Sequence, residues 1–146
     1  MSARTLVLIA AILLSPVALA QKPSVFSDRD GAIRGYDPVA YFDRKGPVKG
    51  SKQFSYPWQG ATWYFASAEN RDKFAAEPER YAPRYGGYCA YAVAQGDTAD
   101  IDPSAWSIVD GKLYLNYSLR ILERWKKDIP GYIRKGDANW PDVLRR

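Results

Sequence analysis

Apolar positions run unbroken from Leu6 to Leu14, and after Gln21 they are interleaved with polar ones in short periodic stretches. "FSYPWQGATWYF" holds two aromatic, β-favouring runs around Gln59-Gly60, which predicts a hairpin; Pro57, lacking an N–H, assigns the first run to a sheet edge. "WSIV" and "KLYLNY" flank Asp110-Gly111, a pair suited to the two positive φ angles of a type I′ turn, which predicts a second hairpin. Ser67 precedes "AENRDKFAAE", a helix with Glu69 in its first turn, Phe74 facing inward and Pro78 stopping it. Ser118 opens another, with Leu119, Leu122 and Trp125 at helical spacing toward the core and Pro130-Gly131 ending it. Asp37-Pro38 reads as an N-cap followed by proline, so a helical turn should follow, and Asp102-Pro103 repeats the device. Tyr88 to Gln95 reads as a small-residue helix closed by Gly96. The expectation is an α+β domain: a small antiparallel sheet built from the two hairpins, with short helices packed on it.

The opening stretch divides the chain. Arg4, the apolar run and Ala18-Leu19-Ala20 form a secretory leader over residues 1–20, cleaved near Ala20, which places the protein in a periplasm or outside the cell. The run is shorter than the ~20 residues a spanning helix needs. Residues 21–34 read as a flexible lead-in, and 35–146 as the domain with a C-terminal helical extension. Eleven Tyr, five Trp and five Phe supply much of its core. Net charge is +5. Arg4 contributes one; from Gln21 to Ser118 acids and bases balance, and the rest of the excess collects from Leu119 onward, at residues such as Arg120, Arg124, Lys126 and Lys127. A solvated helix face is favoured over contact with an anionic surface, and nucleic acid is not expected as a partner.

With no histidine and one cysteine, much chemistry is excluded. Ser–His and Cys–His nucleophiles, imidazole-bound zinc and Cys/His structural zinc all lack their parts. Met1 is the sole methionine, so a soft-metal cage within one molecule cannot be completed. Asp97, Asp100 and Asp102 lack EF-hand spacing and read as a surface loop. What remains is Cys89. At the start of the predicted helix, unpaired backbone N–H groups would lower its pKa, with Arg84 nearby. The competing reading is packing, because a free cysteine is among the most buried residue types.

"GYDPVAYF", "WYFAS", "PERY" and "YGGYCA", in this order, resemble the YHS-domain family, in particular small exported YHS domain-containing (seleno)proteins. The resemblance implies the scaffold positions Asp37, Pro38, Tyr64, Phe65, Ser67, Phe74, Pro78 and Tyr81. It also implies metal binding in the family, copper included, through cysteines whose places are here Ala40, Ala66 and Asn70. That metal role therefore does not carry over, and no cofactor is expected. Selenocysteine among similar proteins implies working chemistry at the position of Cys89. The leading expectation is a thiol site at Cys89, redox or soft-ligand binding, in a pocket shaped by Tyr85, Gly86, Gly87 and Tyr88, with a small molecule or redox protein as partner. The alternative is a non-enzymatic small-ligand or envelope-interaction module, using the Trp/Tyr surface and with Cys89 as packing.

Overall fold

The computed structural model describes residues 11–13, 15–16 and 20–146; most of the expected leader, residues 1–20, lies outside them. Among the described residues no helix is long and apolar enough to cross a membrane. The elements follow as β1 (Ser27–Asp28), β2 (Gly31–Ala32), α1 (Ala40–Asp43), β3 (Ser51–Trp58), β4 (Ala61–Phe65), α2 (Ala68–Ala76), α3 (Pro78–Tyr81), α4 (Ala90–Ala94), β5 (Asp102–Val109), β6 (Lys112–Asn116), α5 (Leu119–Lys126) and α6 (Ile129–Asn139). The protein is α+β.

Both hairpins form as their turns dictate. Gln59 and Gly60 have φ of 53° and 74°, Asp110 and Gly111 of 51° and 73°, the left-handed pairs that a tight two-residue loop requires. The hairpins do not merge into one sheet: β3–β4 and β5–β6 are separate two-stranded antiparallel ladders, and β1–β2 adds a third. Every strand is thus an edge, which is why Pro57 is accommodated opposite Thr62.

The core has two lobes that meet across β6. Alternate side chains of a strand point to opposite faces. Leu113 and Leu115 join Trp63, Phe65, Phe74 and Tyr41 on one side, while Tyr114 joins Tyr85, Leu122 and Trp125 on the other. In the first lobe Phe74 of α2 is the centre, with its ring 5.1–5.6 Å from those of Trp63, Phe65 and Trp58. Ser67 and Ser118 cap α2 and α5 as expected, accepting from the amides of Asn70 and Ile121 at 3.1 Å.

Four local expectations are corrected. The lead-in is packed: Val25, Ala32 and Ile33 are buried, and Phe26 N–H donates to Gly86 O at 2.9 Å. Sequence polarity suggested looseness, but contacts with residues more than fifty positions away hold it. Leu119 is 56% exposed, because the buried face of α5 follows Leu122 and Trp125. Pro130-Gly131 does not end a helix; it lies in the first turn of α6, where Asp128 accepts from Gly131 N–H at 3.1 Å. Asp102-Pro103 opens β5 with no helical turn, its carboxylate accepting from Ser104 N–H at 2.9 Å.

Phe74→Ala should lower unfolding free energy by about 3–5 kcal/mol, because it empties a space between rings that cannot collapse. Urea denaturation followed by tryptophan fluorescence measures this.

Candidate functional site

Asp37 is fully buried and holds the first lobe's polar centre. Proline at 38 sets the chain so that one carboxylate oxygen accepts from the amides of Val39 (2.8 Å) and Ala40 (3.2 Å), starting α1. The other oxygen accepts from Ala66 N–H and Asn70 Nδ2, both at 2.8 Å. One side chain thereby ties α1 to the β4–α2 junction. It also gathers Ala40, Ala66 and Asn70, the positions at which the resemblance implies cysteines, beside a hollow of about 320 Å³. On its rim Lys73 Nζ lies between Asp43 (3.3 Å) and Glu69 (3.4 Å). Two methyl groups and an amide offer no thiolate, and both Asp37 oxygens are already engaged by N–H donors. A soft metal does not fit here. Among the described residues no group of three His, Cys, Asp or Glu side chains is placed to hold a metal ion.

Cys89 occupies the position before α4 and is 1% exposed. Its Sγ accepts from Tyr117 N–H at 3.3 Å and its thiol donates to Asn116 Oδ1 at 3.5 Å. Burial pushes the thiol pKa up, against the opposing pull of the Ala92, Tyr117 and Tyr91 backbone groups. The expected lowering at a helix start is therefore overturned. A five-residue helix contributes little dipole, and desolvation of a charged sulfur outweighs it.

The residues expected to surround the thiol diverge. Tyr85 and Tyr88 belong to the second lobe and Cys89 to the first. Tyr85 OH donates to Asp137 at 2.9 Å and Tyr88 OH to Pro23 O at 2.8 Å. Gly87 (φ 85°) lies against Ile33, whose Cγ2 a Cβ at this position would meet at 2.5 Å. Gly86 (φ 62°) passes so close to Ser24 O that any side chain would collide with it.

Tyr85 and Gly86 instead border an open cleft of about 480 Å³ on the side of the lead-in. Its aromatic walls are Trp58, Trp63 and Trp140, and Glu79 and Arg84 supply charge. Arg84 is 3.8 Å from Asp137, too long for a hydrogen bond, so the pairing leaves its donors largely free. Trp140 and Asn116 were not singled out by the sequence. Asn116 had one available signal: an amide inside the apolar strand "KLYLN", where asparagine is disfavoured.

Two outcomes test this geometry. Asp37→Asn replaces one accepting oxygen with a donor facing N–H groups, and should cost about 2–3 kcal/mol of stability in denaturant titrations. For Cys89, the native state keeps its proton at a pH where the unfolded chain has released it. Stability therefore falls as pH rises beyond ~8.5, and Cys89→Ala should remove that part of the slope when the two are compared between pH 7 and 9.5.

No curated protein and no solved structure matches the chain. Residues 39–85 match the model of the family described as YHS domain. The matched segment runs from the residue before α1 through the first hairpin, α2 and α3 to Tyr85, and so includes Ala40, Ala66 and Asn70 but not Cys89, β5–β6 or the C-terminal helices. This chain contains a YHS domain.

Proposed function

We propose that the protein is a non-enzymatic binding module whose aromatic cleft takes a small, flat, partly polar ligand. The observation that carries this reading is the cleft itself. Its volume falls within the ~300–1,000 Å³ usual for small-molecule sites, and three indoles, Trp58, Trp63 and Trp140, line it together with the charged groups of Glu79 and Arg84. Trp58 and Trp140 are both half-buried and both line the cleft, held in place by neighbouring aromatic rings. The unengaged donors of Arg84 would orient an acidic or carbonyl group on the ligand. In this reading Cys89 does not meet the ligand, since its sulfur is buried in the first lobe and is not part of the cleft wall. The leader reading of residues 1–20 would place the module outside the cytoplasm, with Gln21 at the mouth of the cleft.

The test uses anilinonaphthalene sulfonate, a planar aromatic anion, as probe. The folded protein should bind it saturably with quenching of tryptophan emission. Trp58→Ala and Trp140→Ala should each weaken binding about tenfold or more, while Cys89→Ser leaves it unchanged. Binding that survives both tryptophan substitutions, or that is lost in Cys89→Ser with its fold intact, would overturn the reading.

A further inference from the structure

Asn116 is completely buried, and its Nδ2 has no hydrogen-bond partner among the described residues. Its Oδ1 accepts from Tyr91 N–H at 3.0 Å and from the Cys89 thiol. Turning the amide over would not help, because Tyr91 would then face a donor. A buried N–H left unpaired is costly, and native proteins keep few of them. Here the orphan belongs to the same amide group that meets the chain's single sulfur.

A strap, residues 97–102, is bonded to both members of this pair through the backbone. Cys89 N–H donates to Ala99 O at 3.1 Å, and Lys22 Nζ donates to Thr98 Oγ1 at 3.1 Å. The strap is latched by Arg34, which pairs with the Asp100 carboxylate and donates from Nε to Ile101 O at 2.9 Å. Both latch side chains are about 40% exposed, so water reaches them. Arg34 (φ 60°) and its neighbour Ile33 (φ 44°) hold strained left-handed backbone, which the latch helps to maintain. Asp102, at the end of the strap, pairs with Asn116 across the β5–β6 ladder.

We propose that Cys89 is an oxidation site for small hydroperoxides, opened by local release of the 97–102 strap, with Asn116 Nδ2 placed to hold the oxygen that the sulfur acquires. In the closed state the protonated thiol is shielded. When the strap lifts, water and peroxide enter, while the Tyr117 amide still faces the sulfur. The sulfur then attacks one peroxide oxygen: an S–O bond forms as the O–O bond breaks, and sulfur gives up two electrons. The thiol proton leaves on the departing oxygen, as water when the oxidant is hydrogen peroxide, and the product is a sulfenic acid. Its oxygen supplies the acceptor that Asn116 Nδ2 lacks. The site is separate from the aromatic cleft and does not rest on it.

The full-length chain is treated with hydrogen peroxide and followed by intact mass; with one cysteine and Met1 as sole methionine, Cys89→Ser gives the background. The parent should gain one oxygen absent from that control. Asp100→Asn, which weakens the latch, should gain it about tenfold faster. In Asn116→Ala the first oxygen should be followed by a second, because the sulfenic acid is no longer held. Should Asp100→Asn fail to fold, exchange in the parent decides: the Cys89 amide must exchange faster than the Leu122 amide of α5, and oxidation must keep pace with Cys89. Oxidation no faster than global opening, equal rates in parent and folded Asp100→Asn, or no added oxygen at Cys89 would each overturn the proposal.

Discussion

A buried carboxylate is tolerable only if nearly every lone pair is met, and Asp37 satisfies that condition with donors from three separate pieces of chain. Its partners are the first amides of α1, the amide at the end of β4 and the side chain of Asn70 on α2. The aromatic lobe around Phe74 has no directional bonds of its own to set how helix and hairpin meet. Ring packing rewards many arrangements almost equally, whereas four hydrogen bonds to one rigid group allow very few. The angle at which α2 crosses β4, and with it the position of Phe74 among its neighbours, therefore depends on Asp37.

The same arrangement holds this junction together with no thiolate in it. Ala40, Ala66 and Asn70 still converge, since Asp37 holds their backbones and the Asn70 amide directly. Lys73, between Asp43 and Glu69, places a cation on the rim of the hollow, an electrostatic setting unfavourable to another positive ion.

β5–β6 and the C-terminal helices, which build much of the second lobe, lie outside the segment that matches the YHS domain model. β6 is buried on both faces, so it serves as a shared wall: Leu113 and Leu115 close the first lobe, Tyr114 the second, and Asn116 ends the strand beside the sulfur. Cys89 does not line the aromatic cleft, so ligand binding and thiol chemistry need not interfere. The packed lead-in completes both, with Val25 and Ser24 at the cleft and Lys22 on the strap.

Local signals in the sequence were enough for both hairpins, the caps at Ser67 and Ser118, the inward Phe74 and the α+β class. Each depends on a turn angle, a capping bond or a spacing that neighbouring residues impose. The chain alone also excluded histidine and multi-cysteine chemistry. Tertiary packing decided the rest. Leu119 lost its place in the core, residues 21–34 became part of it, and Tyr85 and Cys89 came to face opposite lobes four residues apart. Above all, whether the sulfur would be a thiolate or a shielded thiol depended on groups from β6 and from the 97–102 strap. Desolvation is set by everything that surrounds an atom, and no local pattern around Cys89 specifies those surroundings.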